Sequence, residues 1–415
     1  MLDTEHPKLG HFQILEPLGR GGFTEVMLAR DLRPKNYGGL VAIKRLRPGL
    51  IQRDPVFLDS LLFEAELGML ITNPHLIKVD SVFEAEGEPA VVMEYVEGYR
   101  VTHLLALAAG SGLLPEAAAE LMRQVCEGLA ALHRAKDASG TPLHTVHQDI
   151  KPDNILVTRG ALVKLIDLNM ARPQLGDRPP LWIRQGTPGY RSPEQARGEW
   201  NLTPSSDLYS VGVVLFELLT GRSLFGREAR DAVRLEERQK QLSFQLEQTA
   251  SKIAPPGLDL ILRKLLAYDP QERFATAPEV IQALSEWLCA WNPRFELKEY
   301  LVKRQGALEA LLSRRSSGVA IHDQDTDVGV RNPVYQADEQ VTPLPTGSAV
   351  NAVQANPFEP VRSGPGSIRW TPIPPPNPAV QAASSGLPPM PPSGNTQARS
   401  LWKALQIFER RGSRL

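Results

Sequence analysis

The sequence predicts an α+β fold continued by a disordered C-terminal tail, and three observations carry that expectation. The apolar run Leu162-Val163-Lys164-Leu165-Ile166 reads as a buried strand. Leu58, Leu61, Leu62, Ala65 and Met69 recur at helical spacing, and a second, long apolar helix opens at Asp207 and ends at Gly221. From about Ser316 the chain turns rich in Pro, Gly, Ser, Ala and Gln, a composition that buries too little apolar area to offset its ordering entropy. At 415 residues and 42% hydrophobic content, the chain is long enough to bury a sizeable core.

The stretch His147-Gln148-Asp149-Ile150-Lys151-Pro152-Asp153-Asn154 puts a base, a cation and a metal-binding amide into one short segment. Asp149 can accept or orient a hydroxyl proton, Lys151 can neutralise charge on a moving phosphate, and Asn154 can ligate magnesium. Read alone, it is also compatible with a polar turn between two strands. Asp167-Leu168-Asn169 follows the strand of 162–166, where an aspartate at a strand end can hold a divalent ion bridging two phosphates. The first stretch resembles the catalytic loop of eukaryotic-type protein kinases, bacterial members included, and Lys151-Pro152 resembles their serine/threonine class. That resemblance implies a two-lobed fold, with a small antiparallel-sheet lobe carrying one key helix and a larger, mainly helical lobe. It also implies ATP and Mg2+ as cofactors and a protein substrate.

The remaining elements are expected in chain order. Leu18-Gly19-Arg20-Gly21-Gly22-Phe23-Thr24-Glu25-Val26 resembles the glycine-rich loop that turns over the nucleotide phosphates, with Thr24 in place of the third glycine. Val41-Ala42-Ile43-Lys44 resembles the strand whose lysine pairs with the α and β phosphates. Asp54-Pro55 reads as a helix start, Asp as N-cap and Pro at the first helical position. On that helix Glu64 is the expected carboxylate for Lys44, and Glu66, on the other reading a solvated face, competes with it. Ala90-Val91-Val92-Met93-Glu94-Tyr95-Val96-Glu97-Gly98 resembles the last small-lobe strand and the hinge. Backbone groups near Glu94 and Val96 would meet the adenine edge, Met93 would close the back of the pocket, and Val26 and Ala42 would pack on the adenine faces.

Asp167 with Asn154 would hold the metal. Leu168 and Asn169 depart from the family's Asp-Phe-Gly. Asn is the residue with a side chain that best tolerates positive φ, so metal binding should survive and flipping of the segment should be restricted. Gly186-Thr187-Pro188-Gly189-Tyr190-Arg191-Ser192-Pro193-Glu194 resembles the segment that receives a peptide, with Thr187 bonding Asp149 and Lys151. The resemblance has Asp207 bracing the catalytic loop and Arg273 pairing with Glu194.

The regulatory signature is unusual. Gln148 replaces the arginine with which many kinases bind a phosphorylated activation loop, and residues 170–185 contain no serine, threonine or tyrosine. A kinase not switched by phosphorylation in that loop is the expectation. A pseudokinase scaffold that binds ATP with little transfer is the alternative, favoured by Thr24, Gln148 and Asn169; a small-molecule phosphotransferase is opposed by the 187–194 segment.

The expected organisation is an N-terminal extension 1–10, small lobe 11–97, large lobe 98–290, helical extension 291–315, linker 316–398 and basic amphipathic helix 399–415. In the extension Leu301, Leu308, Leu311 and Leu312 are available for packing. The linker, with its Trp370-Thr371-Pro372 and Leu387-Pro388-Pro389 runs, should have local polyproline II character, as a passive spacer or a proline-rich ligand. The last helix, with Leu401, Trp402, Leu405 and Phe408 beside Lys403, Arg410, Arg411 and Arg414, reads as a docking helix for a protein partner or the kinase lobe, in preference to a weak membrane-surface helix. A formal net charge of −1 gives no argument for bulk binding to nucleic acid or anionic membrane. Two distant cysteines, Cys126 and Cys289, make neither a disulfide framework nor a zinc site. With no signal peptide at the amino terminus and no apolar run of about 18 residues, a soluble cytoplasmic protein without a transmembrane anchor is expected.

Overall fold

The computed structural model describes residues 6–21, 23–48, 56–137, 139–168, 172–173, 186–199, 201–226 and 232–316. Gly22, the expected helix start at Asp54-Pro55, Asn169, most of the segment before Gly186, the linker and the final helix lie outside the described residues.

The first part is a six-stranded antiparallel sheet in the order β1-β2-β3-β4-β6-β5. Its strands are β1 (Lys8–Leu9), β2 (Phe12–Arg20), β3 (Thr24–Asp31), β4 (Leu40–Leu46), β5 (Val79–Ala85) and β6 (Glu88–Glu94), with helix α1 (Val56–Leu70) between β4 and β5. Strand alternation sorts the side chains. Val41, Ile43, Ala90 and Val92 join Leu9 and Phe12 on one face, while Ala42, Leu46, Val91 and Met93 meet Leu61 and Ala65 of α1 on the other. Lys44, two residues from Ala42 and two from Leu46, therefore shares the α1 face.

The second part follows Tyr95–Glu97. Strands β7 (Gly98–Arg100), β9 (Ile155–Thr158) and β10 (Val163–Leu165) form a small antiparallel sheet, and β8 (Thr145–Val146) pairs with β11 (Arg172–Pro173). Helices α2 (Val101–Ala108), α3 (Pro115–His133), α4 (Pro193–Ala196), α5 (Pro204–Thr220), α6 (Ala232–Ile253), α7 (Leu258–Leu265), α8 (Ala277–Trp291), α9 (Leu297–Val302) and α10 (Gln305–Ser316) make up the rest. The core lies between α3 and α5, where Leu121, Met122, Leu129, Leu208, Val211 and Leu215 are wholly buried.

The long helix α5 differs from its expected start. It begins at Pro204, with Thr203 as N-cap, rather than at Asp207, because proline loses nothing at the first helical position. Its end at Gly221 is as expected, with φ at 67° in the left-handed region that favours glycine. The 291–315 region divides into α9 and α10, and both pack on the core: Leu301 is 2% and Leu308 0% exposed. Among the described residues no helix is long and apolar enough to cross a membrane.

Candidate active site

Three charges meet where the sheet face and α1 approach β10. Lys44 Nζ lies 2.8 Å from Glu64 Oε2 and 2.8 Å from Asp167 Oδ1. It is Glu64, not the exposed Glu66, that turns inward. Glu64 Oε1 also accepts the Leu168 N–H at 3.1 Å, tying α1 to the strand end. Burial disfavours the ammonium of Lys44, but the Asp167 and Glu64 carboxylates outweigh it and raise its pKa. Burial pushes Glu64 up, whereas for Asp167 the Lys44 charge overcomes burial and holds the carboxyl low. Asp167 has φ at 68°, a left-handed conformation that a residue with a Cβ resists.

On the opposite wall, residues 147–154 are braced by α5. Asp207 accepts the His147 N–H and the Gln148 N–H, each at 2.8 Å, and His133 Nε2 contacts the same carboxylate at 2.8 Å. Asp149 is 6% exposed. Its Oδ1 accepts the N–H and the hydroxyl of Thr187 at 2.8 and 2.9 Å. Its Oδ2 sits 2.9 Å from Lys151 Nζ and 3.0 Å from Asn154 Nδ2. Lys151 Nζ also donates to Thr187 Oγ1 at 2.8 Å, so Thr187 bonds both residues. Burial opposes the Lys151 charge, and Asp149 restores it, leaving the pKa raised.

Asn154 Nδ2 faces two acceptors, the Asp149 carbonyl and carboxylate. That fixes the amide orientation and turns its oxygen away, leaving one amide oxygen and one carboxylate oxygen of Asp167 as hard ligands. Among the described residues no group of three His, Cys, Asp or Glu gathers in metal-binding range. One amide oxygen and one carboxylate oxygen suit Mg2+, which is held by one or two protein oxygens and completes its shell with phosphates and water.

Between the walls is an apolar lining. Leu18, Val26, Ala42, Met93 and Val96 belong to one cluster, joined by Ile166. The Glu94 side chain points elsewhere, accepting from Lys164 Nζ at 2.7 Å and from the Lys78 N–H at 2.8 Å. Val96, half-buried, lies between β6 and β7.

β2 and β3, which bear Leu18 and Val26 of this lining, pair with Arg20 opposite Glu25. A Cβ on Gly19 or Gly21 would meet nothing nearer than 3.5 Å within the chain, and neither residue has positive φ. Among the described residues nothing requires glycine at either position. Thr24 lies in β3 without positive φ and strains nothing. Phe23 stacks on Phe57 at 4.3 Å and Glu25 pairs with Arg45 at 2.8 Å, so both side chains are engaged within their own lobe.

The family model for the protein kinase domain matches residues 12–287. The chain belongs to the protein kinase domain family. Similar curated kinases include a probable serine/threonine-protein kinase, PknB, of Bifidobacterium longum, 32% identical over 83% of this chain and 49% of its own. The serine/threonine-protein kinase PknB of Mycolicibacterium smegmatis is 34% identical over 65% of this chain and 41% of its own. The tyrosine-protein kinase MasK of Myxococcus xanthus is 30% identical over 67% and 43%. The chain spans about half or less of the length of these relatives.

The kinase large lobe also holds Glu194 and Arg273 as a buried pair at 2.7 Å, with Ser206 bonding the same carboxylate. Residues not singled out from the sequence for roles at the site are Ile166 in the cleft lining, Lys164 beneath Glu94, His133 behind Asp207, and Gln195, discussed below. Lys164 had a local signal, a lone cation in an apolar strand; the others had none.

Proposed function

We propose that this chain is a cytoplasmic serine/threonine protein kinase of the bacterial type, transferring the γ-phosphoryl group of ATP to a protein hydroxyl. The observation that carries the reading is the double pairing of Lys44 with Glu64 and Asp167, set across the cleft from the bonded group Asp149, Lys151, Asn154 and Thr187.

In this reading Lys44, oriented by Glu64, holds the α and β phosphates. The glycine turn of residues 18–26 lies over them, and the Glu94–Val96 backbone takes the adenine edge. Asp149 orients the acceptor hydroxyl and takes its proton, and Lys151 stabilises charge on the transferring group. Bound magnesium, held by Asp167 and Asn154, would neutralise phosphate charge. The remaining catalysis is positioning and electrostatics. Lys151, already hydrogen-bonded to Thr187 and Asp149, supports the serine/threonine class.

With Gln148 in place of an arginine and no hydroxyl in residues 170–185, the same reading has activity independent of phosphorylation in that loop. The test is autophosphorylation with labelled ATP and magnesium, followed by phosphoamino-acid separation and site mapping. Phosphoserine and phosphothreonine outside 170–185 are expected. Phosphotyrosine as the dominant product would overturn the class, and inactivity after phosphatase treatment, restored only with phosphate on Thr187, would overturn the regulatory part.

A further inference from the structure

The carbonyl of Gln148, the residue before Asp149, is enclosed on two sides. Gln195 Nε2 donates to it at 3.0 Å. Gly186, at φ 91°, lies so near that a Cβ there would come within 2.6 Å of the same oxygen. Gln195 is 4% exposed, and its amide orientation is fixed at both ends. The Ser192 N–H, which can only donate, meets Oε1 at 3.2 Å, while the Gln148 carbonyl, which can only accept, meets Nε2.

Gln148 itself has φ at 68°, a left-handed conformation that its side chain resists. Bonds on both flanking peptides hold it there. The peptide before it is pinned where the Gln148 N–H donates to Asp207. The peptide after it is pinned by Gln195 at the carbonyl and by His147 Nδ1, 3.3 Å from the Asp149 nitrogen. That second peptide is the plane from which Asp149 departs, so a residue that controls it controls the direction of the carboxylate.

We propose that Gln195 is a positioning residue for phosphoryl transfer: through the Gln148 carbonyl it sets the backbone under Asp149 and fastens residues 186–195 to the catalytic loop. The inference rests on the kinase reading above. The fastening is made of neutral amides and asks for no phosphate. Arg191 works in the same sense, donating from Nε and Nη2 to the Gly186 carbonyl at 2.8 and 2.6 Å. Residues 186–195 are thus tied down by their own side chains.

A purely local role competes with this one. Gln195 is the third residue of α4 and closes a capping box with Ser192. Glutamate serves that box as well as glutamine does. Gln195→Glu therefore separates the two roles, since it keeps length, volume and the capping oxygen but sets an acceptor against the Gln148 carbonyl in place of a donor.

The experiment uses the full chain with magnesium, labelled ATP and a generic protein acceptor, beside an Asp149→Asn control, with hydrogen exchange measured on the same proteins. Gln195→Glu should lower kcat about tenfold to a hundredfold, as a small misplacement of a reacting group does, with KM for ATP little changed. Exchange over residues 145–150 should quicken while that over 193–198 stays near wild type, and the thermal midpoint should fall, since the new carboxylate is buried without a cation. If Gln195→Glu does not fold, Gln195→Met, neutral and of similar length, supports the same comparison of rate and of exchange over 145–150. Wild-type kcat together with unchanged exchange over 145–150 would overturn the proposal and leave Gln195 a cap. Were wild type no more active than Asp149→Asn, the kinase reading would fall, and the exchange data alone would still decide whether Gln195 holds the loop.

Discussion

Lys44 shows how one side chain can depend on two lobes. Its ammonium sits 4% exposed between Glu64 and Asp167, and an unpaired charge at that depth would be costly. Lys44→Met removes the cation that phosphates would meet and leaves the buried Glu64 carboxylate facing the half-buried one of Asp167. Transfer should fall at least about a hundredfold, the scale of losing one preorganised charge contact, measured as initial rate at saturating ATP. Glu194 gives a pH prediction. Burial alone would raise its pKa, but hydrogen bonding and charge from Arg273 outweigh it and hold the carboxyl below its ordinary 4.5. A depressed carboxylate stabilises the fold above its unfolded pKa and loses that contribution as pH falls through the folded value. Glu194→Gln, which strands a buried Arg273, should cost about 3–5 kcal/mol at pH 7. The gap to wild type should narrow below about pH 4 in denaturant titrations; a gap constant from pH 7 to pH 3 would contradict the pairing.

At the scale of elements, sequence periodicity reached what local pattern controls. Helical spacing turned Leu61 and Ala65 of α1 inward, whereas the meeting of Lys44 with Glu64 rather than Glu66 was legible only through the family resemblance. The start of α5 was placed three residues late because Asp207 was read as its opening, although Pro204 carries the stronger start signal. Contacts across long loops left no local trace. Leu168 N–H to Glu64 spans 104 residues and Gln195 to Gln148 spans 47, and neither residue type announces its partner. The tail boundary also belongs here. α9 and α10 bury Leu297, Tyr300, Leu301 and Leu308 against the large lobe. A chain ending at residue 316 should melt cooperatively and bind ATP. One ending at residue 296 should lose about 1.5–3 kcal/mol for each large buried side chain removed, with a lower thermal midpoint. Equal midpoints for the two truncations would show that the extension is not part of the lobe.

For the whole molecule, the account is that charges from both parts of the fold converge on one cleft. Lys44, Glu64 and Asp167 are already paired, and Asp149 is already bonded to Thr187, Lys151 and Asn154. The most direct test is transfer from γ-labelled ATP with magnesium to a generic protein acceptor, using phosphatase-treated full-length chain beside Asp149→Asn. The account predicts label in the acceptor and in the chain itself for wild type, and a drop of orders of magnitude for the variant. Equal labelling of the two proteins, or magnesium-dependent ATP binding with no transfer by wild type, would contradict it and leave a nucleotide-binding scaffold in its place.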